Sequence, residues 1–112
     1  MLEISAQTAK PGVGIVTLLG RFTINTIGDR LDTTIRQLLD QGCKTIIIDL
    51  AGVTHLDSTG IGKFIQYLNL IMGVGGKLSM AGAQPTIRES FRVTRLDTVF
   101  RFYDSVETAL EA

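Results

Sequence analysis

The stretch Thr45-Ile46-Ile47-Ile48-Asp49-Leu50, followed by Ala51-Gly52-Val53-Thr54-His55-Leu56 and then Asp57-Ser58-Thr59-Gly60-Ile61-Gly62, decides the fold. It reads as strand, loop and helix start. An unbroken apolar run such as Thr45 to Ile48 suits a strand covered on both faces, the mark of a parallel or mixed sheet with helices packed on it. The loop then leaves the strand's carboxyl end. It delivers one carboxylate and two hydroxyls, from Asp57, Ser58 and Thr59, to a helix start whose free N–H groups and dipole favour negative charge.

Working outward, Ile61, Phe64, Ile65, Leu68, Ile71 and Met72 form a helical stripe, with Lys63, Gln66, Tyr67 and Asn69 on the other face. Gly73, Gly75 and Gly76 end that helix, Leu78 to Ala81 reads as a strand closing at Gly82, and Pro85 opens another helix anchored by Ile87, Phe91 and Leu96. Val99 to Phe102 reads as a short strand. Asp104 and Glu107 resemble a capping box before a final helix from Ser105 to Leu110. On the N-terminal side, Leu2 to Thr8 and Val13 to Leu19 form an expected hairpin about Lys10-Pro11-Gly12, the first strand nearer an edge and the second ending at Gly20. Ile27, Leu31, Ile35, Leu38 and Leu39 mark a helix from Thr26 to Gln41, capped by Asn25 or Thr26, with Asp29 in its first turn and Gly42 as its stop. The fold class is therefore α/β: a small mixed sheet of four or five strands with about four helices packed against it, in one domain spanning residues 1–112.

Composition narrows the function. Lys plus Arg and Asp plus Glu number 11 each among 112 residues, so no net charge draws in nucleic acid or anionic lipid. Cys43 and His55 are the single residues of their types, which leaves no disulfide and no thiolate or imidazole cluster for zinc. No apolar run reaches the length that spans a bilayer, and Met1 to Ser5 lacks the basic-then-apolar pattern of an export signal, so a soluble cytoplasmic protein is expected.

Three chemistries compete at residues 57–62. A small nucleotide-dependent hydrolase would pair Ser58 with His55, but a nucleophile turn wants glycine two residues before the serine, where Leu56 stands, and there is no second histidine. A bound phosphate would suit the glycines, yet neither phosphate-loop fingerprint is present. On residue type alone Ser58 reads as the helix N-cap. Three polar residues nonetheless exceed the one a cap requires, and Gly60 and Gly62, each costing about 1 kcal/mol inside a helix, leave bare backbone that suits close approach by a partner.

The order Asp49-Leu50, Asp57-Ser58-Thr59-Gly60-Ile61-Gly62, Gly75-Gly76-Lys77-Leu78, then Pro85-Thr86-Ile87-Arg88 and Phe91 resembles the STAS domains of bacterial anti-sigma factor antagonists over nearly the whole chain. The resemblance implies a cytoplasmic switch protein, not an enzyme, with no cofactor of its own. It implies that Ser58, with Thr59 as the alternative, accepts a phosphoryl group from a partner that is both serine kinase and anti-sigma factor. The unmodified chain would bind that partner and release a sigma factor, a phosphatase would reset the switch, and ATP and magnesium would belong to the kinase. The implied partner surface comprises Asp57, Ser58, Thr59, Gly60, Gly62 and Lys63, with Arg21 and Thr23 beside it. Two stretches depart from the family pattern. Where relatives carry G-E-L-D, this chain has Gly20-Arg21-Phe22-Thr23, and where they often have glycine before Leu96, it has Arg95 in line with Arg88 and Arg92. The missing acids motivate an alternative expectation, a non-switched scaffold or transporter accessory subunit.

Overall fold

The computed structural model describes residues 1–112. Five strands form one mixed sheet in the order β1-β2-β3-β4-β5: β1 (Leu2–Lys10), β2 (Val13–Phe22), β3 (Thr45–Leu56), β4 (Lys77–Ala81) and β5 (Arg101–Tyr103). Only the β1–β2 pair is antiparallel. Four helices complete the chain: α1 (Arg30–Asp40), α2 (Ser58–Gly73), α3 (Pro85–Val93) and α4 (Val106–Glu111). The mixed α/β class expected from the apolar run is the one observed. Ile46, Ile47 and Ile48 are all buried, as a strand covered on both faces requires.

The main core lies between one face of the sheet and helices α1, α2 and α3, where Val16, Leu18, Ile46, Ile48, Leu31, Ile35, Ile71 and Ile87 meet. A smaller cluster of Ile15, Ile47, Ala81 and Ala109 packs α4 on the opposite face. Phenylalanines tie the helices to the strand ends: the Phe22 and Phe64 rings stack with centroids 4.6 Å apart, and Phe91 meets Phe102 edge-on at 5.0 Å. Such pairs add about 1 kcal/mol beyond the area they bury. Phe22 and Phe64 thereby hold the start of α2 against the end of β2.

Several boundaries differ from the sequence reading. β2 does not stop at Gly20, which at φ +108° takes a conformation open to glycine and lets the strand run on to Phe22. Its added length is paired by residues 51–56, expected as loop, so that Leu19 meets Gly52 and Phe22 meets Leu56 through two irregularities in register. α1 begins at Arg30 instead of Thr26, because the Thr26 hydroxyl is spent on a turn: it donates to Arg21 O at 2.6 Å and accepts from Thr23 N–H at 3.1 Å. Asp29 occupies the N-cap position without a side-chain cap bond, while Gly42 at φ +90° follows the last turn as expected.

On α2, Tyr67 is buried and Met72 is 61% exposed, the reverse of their expected faces. Tyr67 faces α1, where its hydroxyl donates to Asp32, a polar partner that a purely apolar stripe does not reveal. β5 covers Arg101–Tyr103, since Val99 and Phe100 form a turn on Leu96 O. α4 is capped by Ser105, whose hydroxyl accepts from Thr108 N–H at 3.1 Å, and the Asp104–Glu107 box is not formed.

Candidate functional site

The site is built where β2 and β3 end and α2 begins. Asp57, in extended conformation, is the N-cap of α2. One carboxylate oxygen accepts from Gly60 N–H at 2.9 Å and the other from Ile24 N–H at 2.9 Å. The side chain therefore bridges the helix start to the turn that follows β2. The Ile24 N–H, followed by that of Gly60, holds the Asp57 carboxyl below its ordinary pKa, so it is ionised at neutral pH.

With capping done by Asp57, Ser58 becomes the first residue of α2 and not its cap. Ser58 is exposed, Thr59 is half-buried, and neither hydroxyl forms a hydrogen bond within the chain. The two glycines next to them differ. Gly60 faces inward: a Cβ there would lie 2.5 Å from Phe22 O and 2.7 Å from Leu56 Cδ1, so its bareness serves the packing of α2 on β2 instead of a partner's approach. Gly62 is exposed with nothing within 4 Å of a built Cβ. Four residues after Ser58, it lies one helical turn further on the same outer face.

The other candidate residues lie around this corner. Arg21 is exposed at the end of β2 opposite His55, and Thr23 begins the Thr23–Thr26 turn. Lys63 is half-buried and ion-pairs with Asp32 at 3.7 Å, on the side of α2 that meets α1. His55 sits near Ser58 in sequence, yet its Nδ1 is 2.9 Å from the Thr54 hydroxyl and makes no bond to Ser58. The histidine and serine are thus not joined as base and nucleophile. Arg88, Arg92 and Arg95 do not form one free row, since the Arg88 guanidinium lies 4.4 Å from the Phe102 ring centre, Arg92 pairs with Glu89, and Arg95 adopts φ +62°.

One feature of the corner escaped the sequence reading. Ile24 is 66% exposed beside the Asp57 carboxylate, an isolated apolar side chain within a polar rim. Periodicity does not single it out, because it belongs to a turn between elements.

An exposed serine hydroxyl with no partner in the chain, at a helix start beside a mixed five-stranded sheet, narrows the class. The STAS domain family model matches residues 6–109, and the chain belongs to that family. An anti-sigma F factor antagonist of Paenibacillus polymyxa is 26% identical over 102 residues, 88% of this chain and 85% of that protein. A Thermotoga neapolitana protein assigned to the anti-sigma factor antagonists is 27% identical over 75 residues, and the match spans 67% of this chain but only 66% of that protein's length. Among solved structures, the anti-sigma factor antagonist SpoIIAA in its unphosphorylated form superimposes with a TM-score of 0.80 at 16% identity, covering 97% of this chain and 94% of that one. Bacillus SpoIIAA in its phosphorylated form gives 0.74 at 19% identity, covering 97% of each chain. At these identities the structural likeness speaks for the fold. No helix of the chain is long and apolar enough to cross a membrane.

Proposed function

We propose that this chain is a phosphorylation-switched anti-sigma factor antagonist: unmodified, it docks through the corner around Ser58 onto a cytoplasmic anti-sigma factor that is also its serine kinase, and so frees a sigma factor. The observation that carries this reading is the idle hydroxyl of Ser58. It is exposed at the first position of α2 while Asp57 does the capping. A serine relieved of structural duty at a helix start is open to a kinase, and phosphorylation there leaves the helix intact.

The physical consequence follows from charge. A phosphoserine adds roughly −1.5 to −2 charge at neutral pH. At Ser58 the helix dipole favours that charge, but the Gly60 N–H and the Ile24 N–H are already committed to an ionised Asp57. The new charge would stand beside an existing one on a surface that docking must strip of water, and both repulsion and desolvation oppose the complex. The unmodified hydroxyl is neutral and is covered at low cost. A phosphatase that removes the group restores the docking form.

Incubation with the kinase partner and ATP, followed by mass spectrometry of the intact chain and its peptides, tests the reading. One phosphoryl group at Ser58, lost in Ser58→Ala, is expected. A chain left unlabelled at both Ser58 and Thr59, and held in a constitutive assembly that kinase does not alter, would overturn it and favour a non-switched scaffold. The observation on that side is Arg21, which presents an exposed guanidinium where the resemblance leads one to expect an acid.

A further inference from the structure

The two edges of the sheet are unequal. β5 offers three residues, whereas β1 offers nine and is exposed along most of its length. In the β1–β2 pair, Leu2 stands opposite Gly20, and Arg21 N–H donates to Met1 O. In an antiparallel ladder this makes the odd-numbered residues Glu3, Ser5 and Gln7 the ones bonded to β2, so the N–H and C=O groups of Leu2, Ile4, Ala6 and Thr8 point to the open edge. The Arg30 guanidinium reaches Ile4 O from that side at 3.3 Å, in agreement with the assignment. No proline interrupts β1, and a long edge whose outward backbone groups, apart from Ile4 O, have no partner in the chain is a template for another strand.

The sequence of β1 fits a second copy of itself. Antiparallel pairing about a two-fold axis at Ala6 sets Ala6 opposite Ala6, Ile4 opposite Thr8 and Glu3 opposite the Ala9–Lys10 step. The outward groups of Ile4, Ala6 and Thr8 then satisfy one another across the axis, the other copy's Thr8 N–H taking the place of the exposed Arg30 guanidinium at Ile4 O. The register of β1 slips by one between Thr8 and Lys10, so Lys10 stands opposite Val13. Val13 and Ile15, the latter opposite Gln7, pack on the α4 side of the sheet, which places Lys10 and Glu3 on that same side. Each Glu3 thus meets the other copy's Lys10, and opposite charges at facing positions stabilise a strand pair. Lys10 Nζ now donates to the exposed Leu110 O at 3.1 Å, a contact that a solvent-facing lysine readily exchanges. We propose that the chain forms a two-fold homodimer by antiparallel pairing of β1 with β1, registered by two Glu3–Lys10 ion pairs. The axis at Ala6 lies opposite Val16 of β2, six residues along that strand from Phe22 at the Ser58 corner.

Sedimentation velocity across micromolar to millimolar protein tests this. A species of twice the 12.2 kDa chain mass is expected to grow with concentration. Glu3→Lys and Lys10→Glu should each shift the dissociation constant tenfold or more toward monomer, and Glu3→Lys/Lys10→Glu should restore dimer. Ala6→Pro removes one outward N–H at the axis, where an edge strand tolerates proline, and should leave the monomer's circular dichroism unchanged while abolishing the dimer. A chain that stays monomeric throughout, or a dimer that survives Ala6→Pro or both single charge reversals, would overturn the proposal.

Discussion

Replacing Gly60 by alanine tests the packing that sets Ser58 in place. The added Cβ would stand 2.5 Å from Phe22 O, 2.7 Å from Leu56 Cδ1 and 2.9 Å from Phe22 Cδ2. An ordinary carbon–oxygen contact is about 3.4 Å, so α2 and β2 must part by about 1 Å. Strain of this kind costs about 1–3 kcal/mol, and a backbone oxygen gives way less easily than a side-chain tip, which favours the upper end. Alanine returns up to about 1 kcal/mol through helix propensity. The net expectation is a loss of about 2 kcal/mol, or a fall in Tm of roughly 8 °C at about 4 °C per kcal/mol for a domain of this size. Gly62→Ala, two residues on, meets nothing within 4 Å and should raise Tm by a few degrees, up to about 4 °C. Thermal melts followed by circular dichroism distinguish the pair. If Gly60→Ala melts at or above the parent, the close approach of α2 to the end of β2 is refuted.

Other perturbations carry definite signs. Arg95 holds φ +62° without being glycine, so Arg95→Gly should stabilise by about 0.5–1 kcal/mol in denaturant titration; a loss would mean that the Arg95 side chain outweighs its backbone strain. Tyr67→Phe deletes the hydroxyl that donates to Asp32 and should destabilise the contact of α1 with α2 by about 1 kcal/mol, read from the urea midpoint at unchanged slope. Asp57 is more acidic in the folded chain than unfolded, where its pKa is about 3.9, so its contribution is fully present above that value and is lost as pH falls through the lower folded one. Asp57→Asn should therefore be less stable than the parent at pH 7, and the gap should narrow below about pH 4. A gap independent of pH would show that the charge on Asp57 does no work in the fold.

What could be read in advance divides along physical lines. The alternation of buried strands and amphipathic helices is written in side-chain polarity, which is why Ile46–Ile48, the α1 stripe and the Pro85 helix start were legible. Element ends are set by backbone partners that polarity does not encode. β2 and β3 each run longer than expected because Gly20 tolerates a positive φ and residues 51–56 find it as a neighbour. Tyr67 turns inward for a single carboxylate on another helix. At the site, the cluster of Asp57, Ser58 and Thr59 was visible, but polarity does not encode which of them caps: Asp57 does, through the Gly60 N–H, while its other oxygen takes the Ile24 N–H from a distant turn. Gly60 has an interior reason to be glycine in the Phe22 carbonyl and the Leu56 side chain that lie against it. The exposure of Ile24 is announced by no pattern.

The most direct test is the affinity of the kinase partner for the unmodified chain and for the same chain phosphorylated at Ser58, measured by calorimetry in a nucleotide state that blocks turnover. Weakening of about tenfold or more on phosphorylation, equivalent to about 1.4 kcal/mol, is expected, with Ser58→Ala binding like the unmodified chain. Equal affinity for the two forms would contradict a switch built on charge at the start of α2.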